Sequence, residues 1–99
     1  MAEPTLLSPD DLLTLLAELH AWEHVDDRIR RTFRFESFAA AFGWMSEMAI
    51  HSERMNHHPE WSNVYSRVDV ELTTHDVGGL SMLDVELARR MDAAAAGRT

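Results

Sequence analysis

Ninety-nine residues fit a single domain spanning 1–99, near the common domain size, and leave no room for a second. Seventeen acidic against nine basic side chains give a formal charge of −8, a surface that repels phosphate backbones and argues against direct nucleic-acid binding. The chain has no cysteine, which excludes disulfides, thiolate catalysis and cysteine-held zinc. No apolar run approaches the ~20 residues of a membrane span, and the acidic N-terminal region does not read as a secretory signal, so the expected compartment is the cytoplasm.

The first predicted element starts at Ser8-Pro9-Asp10-Asp11: a capping hydroxyl, a proline in the first turn, and acids at the positive helix end. Leu12, Leu13, Leu15, Leu16 and Leu19 follow as an apolar stripe, which predicts a helix from Pro9 to His20. From Trp22 to Phe35 the pattern becomes that of a β-hairpin, broken at Asp26-Asp27, with Thr32 to Phe35 the clearer strand. Arg28, Arg30, Arg31 and Arg34 in that stretch are flanked by acids and read as a solvated strand face.

Glu36 to Asn56 is the longest predicted helix, with Phe38, Phe42, Met45, Ala49 and Ser52 as its expected core stripe. Pro59 is expected to stop it and to push His58 into an extended conformation. Trp61 to Thr74 reads as two short strands or one bent one, in which Val68, Val70 and Leu72 alternate with polar residues, the period of a half-buried strand that would carry His75 on its polar face. Gly78-Gly79 makes a loop, and Ser81 with Asp84 forms a capping box for a last helix containing Val85, Leu87, Ala88 and Met91. The capping role is expected to account for Asp84 fully. The order α-β-β-α-β-β-α predicts an α+β domain: one antiparallel sheet of about four strands with three helices on one face.

The chemistry concentrates in Glu53 to Trp61, which contains Asn56-His57-His58-Pro59, and in His75. Glu53 and His57 are four residues apart, so the carboxylate is expected to orient that imidazole from the same helix face. If His75 ends a strand beside the helix terminus, three imidazoles and a carboxylate meet in one pocket, with Trp61 as an aromatic wall. An unperturbed imidazole pKa of ~6.5 suits proton transfer, and such groups typically contribute ~10²–10⁴-fold in rate. A zinc site is the sharper rival, but adjacent histidines rarely reach one ion and the usual ligand spacings are missing, so no metal and no cofactor is expected. His20, His24 and His51 read as surface residues.

The spaced set Asn56-His57-His58-Pro59, Tyr65, His75 and Asp84 resembles the signature of pterin-4a-carbinolamine dehydratases, and the segment Phe35 to Met45 looks familial as well. The resemblance covers Trp22 to Asp92. It implies a hydro-lyase that dehydrates 4a-hydroxytetrahydropterin to quinonoid dihydropterin, recycling the cofactor of aromatic amino-acid hydroxylases. It further implies that His57 and His75 protonate the departing hydroxyl and that His58 binds and positions the pterin, with Glu53, Asn56, Pro59 and Trp61 in support. Asn56 stands where many members carry Asp, so negative charge from that position is lost. Members form homodimers and homotetramers through sheet edges and helices. Some animal members also act as dimerisation cofactors of a transcription factor, which makes a non-catalytic interaction module the alternative.

Overall fold

The computed structural model describes residues 3–98. Helix α1 spans Pro9–Glu18 and is capped as predicted, with the Ser8 hydroxyl accepting from the Asp11 N–H at 3.1 Å. It stops two residues before His20, and it lies at the periphery: Leu12, Leu15 and Leu16 rest against the core while Leu13 is exposed. Two antiparallel hairpins follow. Strands β1 (Glu23–Val25) and β2 (Arg28–Arg34) turn at Asp26, whose φ of 54° is tolerable for an aspartate. Strands β3 (Glu60–Val64) and β4 (Arg67–Leu72) turn at Tyr65, φ 53°, where the Asn63 amide donates to the carbonyls of Tyr65 and Arg67 and holds the bend.

The sheet order is β1-β2-β4-β3, antiparallel throughout. Register pairs Ile29 with Leu72 and Phe33 with Val68, and with Val70 these side chains turn to one face and are buried. Against that face pack α2 (Phe38–Met55) and α3 (Met82–Ala95), so the expected α+β order and layering are found. Trp44 fills the centre, its ring 4.5 Å from that of Phe33 and its indole N–H donating to the Met91 carbonyl at 3.2 Å. A buried aromatic of this size is worth roughly 3–5 kcal/mol against truncation to alanine.

The arginine run does not form one solvated face. Strand alternation sends Arg28 and Arg30 to the open side of the sheet, where they pair with Glu71, Glu60 and Asp27, and with Glu23. Arg31 points to the helix side, 4.2 Å above the Phe33 ring and bonded to Asp92. Hydrogen bonds donated to Glu71 and then to Asp27 raise the pKa of Arg28 above its ordinary value.

Helix α2 departs from expectation in its orientation. Its buried residues are Ala41, Trp44, Met48 and Ser52, whereas Phe38 and Phe42 are each 55 % exposed. At Ala41, Trp44 and Met48 the core stripe is rotated by about one residue, or ~100°, from the predicted one, while Ser52 is buried as predicted and Met45 packs partly against the core. Both stripes read as apolar in the sequence, and only the sheet decides which is covered. Strand β4 ends at Leu72, before His75, which instead opens a short 3-10 turn over His75–Val77.

Candidate active site

Pro59 does not end α2. The helix closes where its predicted span ends, at Asn56, and what ends it is the left-handed conformation of that residue (φ 51°, ψ 43°). The Asn56 N–H reaches the Glu53 carbonyl at 3.1 Å and the His57 N–H reaches Ser52 at 3.0 Å, the paired bonds of a Schellman motif. Asparagine is among the few side chains that tolerate this geometry, so Asn56 has a backbone task independent of charge. The reversal takes His57 off the helix and inward, toward the N-terminus of α3.

There His57 meets a carboxylate 27 residues away in sequence. Its Nε2 lies 2.6 Å from Oδ1 of Asp84, and the two residues are 8 % and 0 % exposed. The other oxygen, Oδ2, accepts from the Thr74 hydroxyl at 2.7 Å and from the Ser81 N–H at 3.0 Å; the Thr74 and Ser81 hydroxyls are 2.8 Å apart. Asp84 therefore caps α3 as expected with one oxygen, but the cap does not account for it fully, because the other oxygen holds His57. Three donors on a fully buried carboxylate satisfy it, where an unpaired one would cost several kcal/mol. Thr74 is itself fixed by its bridge to Gly79, the Thr74 N–H donating to that carbonyl at 2.9 Å.

Glu53 has a different partner from the one expected. Its carboxylate bonds Nε2 of His58 at 2.9 Å, not His57, and the pair is exposed (side chains 80 % and 62 %). The physical reason is the left-handed turn at Asn56: four-residue spacing puts two side chains on one helix face only while the helix continues. His75 stands exposed at the start of its 3-10 turn, its Nε2 3.9 Å from Glu60.

His57, His58 and His75 nevertheless line one cavity of about 440 Å³, together with Asn56. The Thr73 and Thr74 region forms a polar wall and Met55 with Leu83 an apolar one. Glu53, Pro59 and Trp61 are outside the lining. Trp61 is not a pocket wall: β3 turns it toward the helices, with its ring 6.1 Å from Trp44. Tyr65 sits at the β3–β4 turn, the opposite end of β4, roughly 20 Å from the cavity at ~3.3 Å per residue. Among the described residues no group of three His, Asp or Glu side chains is placed to hold a metal ion. The arrangement offers acid/base chemistry: one imidazole held through Nε2, with Nδ1 left as its free nitrogen, and two exposed imidazoles at the rim.

Residues 5–94 match the sequence profile of the family described as pterin 4 alpha carbinolamine dehydratase. A Roseobacter denitrificans protein provisionally named pterin-4-alpha-carbinolamine dehydratase is 56 % identical over 93 residues, covering 90 % of this chain and 95 % of its own. A Jannaschia protein with the same provisional name is 62 % identical over 73 residues, covering 72 % of this chain and 74 % of its own. The crystal structure of a transcriptional coactivator/pterin dehydratase from Brucella melitensis superposes with a TM-score of 0.86 at 43 % identity, covering 90 % of this chain and 97 % of that one. A pterin dehydratase-like protein identified as a RuBisCO assembly factor in the alpha-carboxysome shares the fold alone, with a TM-score of 0.64 at 23 % identity over 79 % of this chain and 89 % of that one. A profile match across nearly the whole length, close relatives and the shared fold lead to one conclusion: the chain belongs to the pterin 4 alpha carbinolamine dehydratase family.

Proposed function

We propose that this protein dehydrates a 4a-hydroxytetrahydropterin to the quinonoid dihydropterin by histidine acid/base catalysis, in tetrahydropterin recycling in the cytoplasm. The observation that carries the reading is the convergence of three imidazoles on one cavity, one of them held at 2.6 Å by a buried carboxylate. In the reaction the C4a–O bond breaks, its electron pair leaving on oxygen. A protonated imidazole, His57 or His75, supplies the proton that completes water. The lone pair of the adjacent ring nitrogen forms the new C=N bond, and a neutral imidazole takes up the nitrogen's proton. His58, at the rim, binds and positions the ring.

Asp84 serves as a positioning residue. By accepting from Nε2 it fixes the ring orientation and leaves Nδ1 as the nitrogen that exchanges protons with substrate. Glu53 supports His58 in the same way, more weakly because the pair is hydrated. Proton transfer by positioned groups supplies roughly 10²–10⁴-fold each, sufficient for an already labile carbinolamine. The test is the dehydration rate of freshly generated 4a-hydroxytetrahydropterin with wild type, His57→Ala and His75→Ala, with and without chelator. Acceleration by wild type that each substitution slows and chelator leaves unchanged supports the reading; a wild-type rate equal to the spontaneous one sinks it.

A second reading, an interaction module, is favoured by one observation. Phe38 and Phe42, rings 5.7 Å apart, and Ile50 leave an exposed apolar flank on α2. The same flank supports a homodimer or homotetramer. Sedimentation of Phe38→Ser/Phe42→Ser separates the two: lost self-association with dehydration retained assigns the flank to assembly of the enzyme.

A further inference from the structure

The N-terminal segment from Glu3 to Leu7 belongs to no helix or strand, yet it is tied down beside the histidines. The Leu7 N–H donates to the Leu80 carbonyl at 2.9 Å. Leu6 lies so close to Gly79 that a Cβ there would meet its Cδ1 at 2.8 Å, a contact real side chains do not make. Glycine at 79 lets the Leu6 side chain rest against the turn between Thr74 and Ser81, the same turn that holds Asp84, and a Cβ there would turn that exposed side chain aside.

Held this way, Glu3 and Pro4 line the histidine cavity. They also line a second cleft of about 410 Å³, and Leu83 is common to both. The two spaces adjoin across this shared wall. A ring seated against the histidines, with a substituent reaching past Glu3, places that substituent in the second cleft. The cleft mixes apolar side chains of Leu6, Leu7 and Met82 with the carboxylates of Glu3, Asp11 and Glu86, and among the described residues no lysine or arginine lines either space. Asp76 adds a further carboxylate at the histidine cavity, where His58 already has its own counter-charge in Glu53.

We propose that the Glu3–Leu7 segment is a fixed wall of the substrate site, and that Glu3 is a specificity-determining residue selecting reduced pterins whose C6 side chain carries no negative charge. The inference rests on the dehydratase reading and deepens it by naming the substrate class. A hydroxylated alkyl tail finds apolar contact and hydrogen-bond acceptors in the second cleft. A phosphorylated or glutamylated tail meets three carboxylates there, with no lysine or arginine among the described lining residues. The repulsion acts over a few ångströms of partly hydrated space, and it weakens as salt rises.

The experiment compares kcat/KM for two 4a-hydroxytetrahydropterins, one with a neutral polyol tail and one with that tail phosphorylated. Wild type, Glu3→Gln, Glu3→Lys and Gly79→Ala are measured at low and high salt, with Glu36→Gln as a charge-matched change outside both clefts. Wild type is expected to prefer the neutral tail. Glu3→Gln should lower that preference by about threefold and Glu3→Lys by about tenfold at low salt, mostly through KM of the phosphorylated substrate, with smaller effects at high salt. Gly79→Ala, which displaces Leu6, should also lower it, and Glu36→Gln should leave it unchanged. If wild type dehydrates the neutral substrate but both Glu3 variants keep the wild-type preference within twofold, this inference is overturned and the dehydratase reading stands. If wild type accelerates neither reaction, both fall together.

Discussion

Two adjacent histidines, each bonded to one carboxylate, occupy opposite physical regimes. His57 and Asp84 are buried and 2.6 Å apart, and Asp84 is further gripped by Thr74 and Ser81. His58 and Glu53 are 2.9 Å apart and hydrated. Distance hardly separates them; surroundings do. Water competes for an exposed pair and screens it, whereas a buried carboxylate with all its donors in place has a single arrangement. One imidazole is therefore built into the scaffold and the other is free to follow a ligand, a division that suits a fixed proton donor beside an adaptable binding group.

That contrast can be broken most severely from the buried side. His57→Ala should lower kcat by roughly 10²–10³-fold. Asp84→Asn should lower it by about 10²-fold and destabilise the fold by about 1–3 kcal/mol, read from urea unfolding, because an amide cannot accept from all three donors. A histidine ¹⁵N–¹H correlation provides a readout that stability alone would not move: the His57 proton is expected on Nε2 in wild type and displaced in Asp84→Asn. Next in size is Thr74→Val, which removes one donor to Oδ2 and should cost about 1–2 kcal/mol with a several-fold loss of kcat. Asn56→Ala should cost about 1 kcal/mol through the left-handed backbone, while Asn56→Gly and Asn56→Asp stay close to wild type in rate. The smallest effect is expected for Glu53→Gln, which should leave the unfolding midpoint unchanged and raise KM less than threefold. A Glu53→Gln defect as large as that of Asp84→Asn would erase the distinction.

The two ends of α2 show how far local reading carries. At its start Ser37 caps the helix, its hydroxyl accepting from Ala40 at 3.0 Å, a contact within three residues. At its end the helix stops at an asparagine whose left-handed turn redirects everything after it. Helix periodicity assigned Glu53 to His57 as though the helix ran straight through Asn56, one residue past its predicted end. The same local view placed Phe38 and Phe42 in the core, because a helix with apolar residues on more than one side carries no mark of which side a sheet will cover. It also gave Trp61 to the pocket, although strand alternation from the buried Val70 opposite it turns that ring toward Trp44.

The sequence by itself determined the order of elements, the first hairpin, the caps at Ser8 and Ser81, and the three histidines that share a cavity, since each depends on contacts a few residues long or on a spaced signature. Only the tertiary structure decided which carboxylate serves which imidazole, which face of α2 is buried, and that the segment from Glu3 to Leu7 walls the site. His57 and Asp84 stand 27 positions apart in the chain and Leu7 and Leu80 stand 73 apart, while Glu53 reaches His58, five positions on, only because the backbone reverses at Asn56. No periodicity encodes such pairings; packing of the helices on the sheet creates them.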